Sequence, residues 1–170
     1  ISTAAFINKL SRVGIIPNML DTAAVGICLG ASNITYASLL LESELKVVVL
    51  NAPAFLRRES LKKVVRENLT RLLSTRYFIL GGKGDRIFNH RRHAKRMYYF
   101  LSNYSNYVRI IKLDANHYQM IKDHFFTSIH IVSSVLLNKE YSISNFKAKN
   151  YKDVPKVFSR NEWERYAMHS

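Results

Sequence analysis

Four short runs of apolar and β-branched residues recur along the chain, each followed by a segment whose apolar residues fall at helical spacing. The runs are "AAVGIC" ending at Cys28, "KVVVL" from Lys46, "RYFIL" from Arg76 and "YVRIIKL" from Tyr107. After the second run Leu61, Val65, Leu69 and Leu72 predict one helix face. After the third, Ala94, Met97 and Leu101 predict another, and Phe125, Ile129, Val132 and Leu136 follow the fourth. "TAAFINKLSRV" near the start reads as a helix leading into the first strand. Apolar strands joined by crossover helices predict an α/β fold: a parallel sheet of about four strands, covered on both faces. Beyond Leu137 the pattern fades. Residues 1–137 read as the packed unit and 138–170 as an irregular basic tail, with "SRNEWERYA" a short terminal helix.

Composition narrows the class. With 48% hydrophobic and 22% charged residues in 170, the chain belongs with globular domains and not with disordered ones. Its longest apolar runs, such as "VVVL" after Lys46, are far too short to cross a bilayer. Cys28 is the only cysteine, so no internal disulfide forms. This fits an intracellular, reducing compartment, either cytoplasm or mitochondrial matrix. A net charge of +14 favours an anionic partner: nucleic acid, an anionic membrane surface or a phosphate-bearing small molecule. The charge is concentrated in two segments that also read as amphipathic helices. Arg57, Arg58, Lys62 and Lys63 mark the first, Arg91 and Arg92 the second, and these six are candidate anion-binding residues whose plainer reading is a solvated helix face.

In parallel sheets chemistry gathers at the carboxyl ends of the strands. The first strand ends in Gly26-Ile27-Cys28-Leu29-Gly30, the third in "GGKGDR" with Asp85 just beyond it, and the fourth in "LDANHY" with His117 just beyond it. A free cysteine is commonly just a small buried residue. Here, however, G-x-C-x-G lies between a strand and a helix, as a nucleophile elbow does, with Gly26 and Gly30 expected to relieve a close approach of strand and helix. Such a turn lifts the thiol out of the sheet and aims the Leu29 amide at a developing oxyanion. Asp114 is a rival acid, but it shares the histidine's own loop. His90, His93, His124, His130 and His169 read as surface or helix residues, and no metal site or cofactor is predicted.

The order Cys28, Asp85, His117 is nucleophile, acid, base, as in the α/β-hydrolase fold. Residues 3 to 137 resemble the carboxyl-terminal half of that superfamily, in its cysteine-nucleophile form. "GICLGA" is similar to the elbow of dienelactone hydrolases. "GGKGDRIFNHRRHAKRMYYFL" is similar to the acid segment of the domain shared by acyl-CoA thioesterases and bile-acid-CoA:amino-acid N-acyltransferase, and "RIIKLDANHYQM" resembles the histidine loop. "NEWERYA" is weakly similar to the helix that ends the second group.

The resemblance implies hydrolysis or transfer of an ester or thioester, an acyl-CoA among them, through an acyl-cysteine formed by Cys28, Asp85 and His117. A lactone of the dienelactone type is an alternative substrate. It also implies strands before the nucleophile strand, which this sequence does not contain. The strand ending at Cys28 is therefore expected to pair with an amino-terminal half or with another chain, and the 170 residues alone are expected to be a weak catalyst and an unstable monomer. The contrasting reading is a non-catalytic hydrolase-fold subunit, its basic surface docked on RNA or in another multi-protein assembly.

Overall fold

The computed structural model describes residues 3–138 except 17, 57, 70 and 71. Arg57, His169, nearly all of the predicted tail and its terminal helix lie outside the described residues. Four parallel strands, β1 (Ala23–Ile27), β2 (Val47–Asn51), β3 (Arg76–Gly82) and β4 (Val108–Leu113), lie side by side in chain order. Helix α1 (Thr3–Arg12) and a 3₁₀ turn (Met19–Asp21) precede β1. Helices α2 (Leu29–Leu39), α3 (Glu59–Asn68) and α4 (Ala94–Leu101) make the crossovers, and α5 (His117–Lys122) and α6 (Phe125–Leu136) follow β4.

Alternation along the strands sorts the core into two layers. Val48, Leu50, Tyr77 and Ile79 pack with Ala31, Tyr36 and Leu39 of α2, Val65 of α3 and Met97 and Leu101 of α4. Val47, Val49, Phe78 and Leu80 pack with Met120 of α5 and Ile131 and Val135 of α6. Burial on both faces explains why the two central strands read as continuous apolar runs.

Two predicted helix faces need correction. Leu72 lies beyond α3 and is 51% exposed, because that helix ends at Asn68. In α6 the buried side is Thr127, Ser128, Ile131, Ser134 and Val135, while Phe125 and Ile129 face outward. Apolar residues all around this helix leave its phase undetermined by periodicity, and the small Thr127, Ser128 and Ser134 let it approach the sheet closely.

Strand β1 is an edge. Among the described residues its register partner is β2 alone, from Ala23↔Val47 to Ile27↔Asn51, and apart from Gly26 its residues are only partly buried. No helix among the described residues is long and apolar enough to cross a membrane.

Candidate active site

The turn after β1 is strained, and its neighbours hold it. Cys28 has φ 54° and ψ −122°, a combination costly for a residue with a Cβ. The Cys28 amide donates to the Asn51 carbonyl at 3.0 Å, and the Cys28 carbonyl accepts from Ala31 at 3.2 Å and Ala54 at 3.0 Å. These bonds fix the turn from both sides and leave the half-buried thiol at the sheet's carboxyl edge. Leu29 begins α2, where an amide has no intrahelical acceptor and the helix dipole favours negative charge.

The two glycines differ. A Cβ on Gly26 would lie 2.6 Å from the Ala31 Cα, so strand and helix touch there through backbone. A Cβ on Gly30 would meet nothing within 4 Å, which corrects the expectation that both glycines relieve a collision. The steric demand falls on Gly26 alone because only there does α2 turn back onto the strand.

Asp85 sits in a tight turn after β3 and is fully buried, its side chain 0% exposed. One carboxylate oxygen accepts from the amides of Ile87 at 2.9 Å and Phe88 at 2.8 Å. The other meets His117 Nδ1 at 2.7 Å. With Nδ1 engaged by Asp85, the Cys28 side chain is near enough to the ring to help raise the His117 pKa. Asp114 is exposed and takes no part. Phe88 meets the His117 ring edge-on at 5.2 Å and, at the same distance, that of His93, whose Nδ1 accepts the Phe55 amide.

The histidine is placed by backbone chemistry that residue-type reasoning overlooked. Asn116 and Gln119 form a reciprocal capping box at the start of α5, each side chain bonded to the other's amide at 2.9 Å. The histidine loop lies so close to the end of β3 that a Cβ on Gly82 would come within 2.5 Å of the Ala115 carbonyl oxygen. The spelling N-H-Y-Q and the paired glycines of "GGKGD" were the available signals. Among the described residues no cluster of His, Cys, Asp or Glu could hold a metal ion.

Of the anion-binding candidates, Lys62 pairs with Glu59 at 2.9 Å and Lys63 with Glu67 at 3.8 Å, both along α3. Arg58, Arg91 and Arg92 are exposed, and the last two lie just before α4.

Electrostatics bind the cluster together. Burial disfavours the His117 imidazolium, but the Asp85 and Cys28 hydrogen bonds and the charges of both partners outweigh it and push the ring up to about 9. Burial also opposes the Asp85 carboxylate, yet His117 and the Phe88 and Ile87 amides hold it below its ordinary value. A raised histidine contributes stability that is complete below its unfolded value of 6.5 and is lost as pH rises through about 9. A lowered aspartate contributes above its ordinary 3.8 and fails as pH falls through its folded value. The cluster therefore stabilises most between those limits. Urea unfolding at about pH 6 and about pH 10 should show a loss of at most about 3 kcal/mol at the higher pH, smaller in Asp85→Asn.

Comparison with known proteins supports the fold. The chain matches no protein-family model and no curated protein sequence. Among solved structures it is similar to the Bacillus cereus carboxylesterase, with 17% identity and TM-score 0.56, covering 78% of this chain and 59% of that one. It is equally similar to esterase PE8, with 17% identity and TM-score 0.54, covering 78% and 58%. The chain thus spans less than two thirds of the length of these esterases. Its four-stranded parallel sheet with flanking helices is an α/β architecture that it shares with these esterases.

Proposed function

We propose that this chain carries the nucleophile-bearing part of an ester or thioester hydrolase, or acyltransferase, that works through an acyl-cysteine. The observation that carries this reading is the Cys28 thiol on a strained strand-to-helix turn, near a histidine whose Nδ1 is held by a buried carboxylate. His117 holds the proton given up by the thiol as the sulfur attacks the substrate carbonyl carbon. A C–S bond forms as the carbonyl electrons move onto oxygen, toward the Leu29 amide. Collapse expels the alkoxide or thiolate, which His117 protonates. Water or an amine, deprotonated by His117, then attacks the acyl-cysteine and restores the thiol.

Leu29 and Tyr118 directly follow Cys28 and His117 in the chain, Ile87 lies two residues after Asp85, and they are 48%, 46% and 64% exposed, which suits an apolar acyl group. Exposed Arg91 and Arg92 suit the phosphates of a CoA leaving group. The esterases of similar fold favour carbonyl esters as the broader class. A second oxyanion donor is expected from a segment outside this chain, and its absence costs about 3 kcal/mol of transition-state stabilisation. The test is single-turnover reaction with p-nitrophenyl acetate followed by peptide mass analysis. An acetyl adduct on Cys28 is expected, whereas acetylation of surface lysines alone sinks the proposal.

The net charge of +14 favours a second reading, a non-catalytic subunit bound to RNA. On that reading, neutralising Arg57, Arg58, Lys62 and Lys63 lowers retention on RNA and flattens its salt dependence together. The ion pairs of Lys62 and Lys63 along their own helix argue for the solvated face, so retention on RNA is expected to change little.

A further inference from the structure

Asn51 is the one polar residue of β2, at its carboxyl end, and is fully buried. It continues the row of Val47 and Val49 toward α5 and α6. Its register partners are Ile27, the last residue of β1, and Leu80 of β3. Its carbonyl accepts the Cys28 amide at 3.0 Å, and its side-chain Nδ2 donates to the Met120 carbonyl at 2.9 Å. Met120 lies one helical turn after His117 in α5.

The helix leaves that carbonyl to Asn51. A continuing helix would send the His124 amide to Met120, but α5 ends here, and the amides of Asp123 and His124 both bond to the Gln119 carbonyl, at 2.8 and 3.2 Å. Asn51 Oδ1, meanwhile, is buried with no hydrogen-bond partner in the structure. An orphaned buried oxygen is destabilising, and an apolar residue continuing the valine row would avoid it. What asparagine adds is the Nδ2 bond to α5. A local rule broken beside a reactive cluster marks a residue kept for the cluster's geometry.

We infer that Asn51 is a positioning residue: its carbonyl holds the Cys28 turn and its side chain holds the His117 helix, setting thiol and imidazole in register. It touches neither reacting atom and acts through both neighbours. The inference rests on the reading of Cys28 and His117 as a working pair.

Asn51→Leu and Asn51→Ser in the full chain test it, with His117 followed by NMR titration and Cys28 by iodoacetamide alkylation. The groups that set the His117 charge are Asp85 and Cys28, with Phe88 at the ring edge. Loosening α5 weakens the Cys28 contact first, since Asp85 is anchored by its own turn. The His117 midpoint is expected to fall from about 9 by about one unit, and alkylation at neutral pH to slow about tenfold, with the far-UV spectrum kept. A folded variant with the wild-type midpoint and alkylation rate overturns the inference. Should Asn51→Leu fail to fold, Asn51→Ser decides, and unfolding of both makes Asn51 a residue of the fold only and equally overturns it. A wild-type His117 that titrates near 6.5, unaffected by Cys28→Ser, instead counts against the proposed function.

Discussion

His117→Ala is expected to slow acylation of Cys28 by p-nitrophenyl acetate about a thousandfold, the scale of a positioned acid or base. Cys28→Ala should leave no adduct in that region of the chain. In the proposed mechanism the imidazole does two opposed jobs. While it faces the thiol, Asp85 and Cys28 together keep it protonated up to about pH 9, so it can protonate a departing alkoxide or thiolate. Once the sulfur is acylated, the contribution of Cys28 to that rise is lost. Burial then pulls the ring back toward neutrality, the form needed to deprotonate water. The same rise and fall should be visible by NMR, with the His117 midpoint lower in the acylated protein than in the free one. Equal acylation rates for His117→Ala and the wild type would remove His117 from the mechanism.

Gly26→Ala should be strongly destabilising. Its Cβ would stand 2.6 Å from the Ala31 Cα and 3.1 Å from both the Ala31 nitrogen and the Gly30 oxygen, all of them backbone with no rotamer to yield. Strand and helix must part for it to fit, at a cost of about 3 kcal/mol, or a fall of about 10 °C in melting temperature. Gly30→Ala is the matched control. With open space around its Cβ and a position in the first turn of α2, it should be neutral or gain up to about 1 kcal/mol from the stiffer unfolded chain. Equal melting temperatures for the two variants would refute the tight elbow.

What was legible in the sequence follows from which constraints are local. Strands β2 and β3 could be read directly because burial on both faces demands apolar residues in unbroken succession. The residues at the carboxyl edge could be proposed together because parallel strands in chain order bring their ends together, and Asp85 and His117 do meet there. The phase of α6 was not legible, since Phe125, Phe126 and Ile129 are as apolar as the residues that turn inward. Helix α5, spanning only His117–Lys122, is too short to show a period. Asn51 lies just past the apolar run that marked the second strand, and nothing local reveals that its amide reaches a carbonyl 69 positions away. Gly30 was assigned a collision that only the path of α2 could rule out.

Cys28 hangs from a strand at one end of the sheet. Any chain that hydrogen-bonds along the side of β1 left unpaired among the described residues stiffens the strand whose last residue precedes Cys28, and so favours the costly backbone angles of the turn. Thermodynamic linkage makes this reciprocal: a strand that favours the acyl adduct by some factor is itself bound more tightly, by that same factor, once the adduct has formed. Substrate capture and strand capture would then be two ligands of one protein, each reporting on the other.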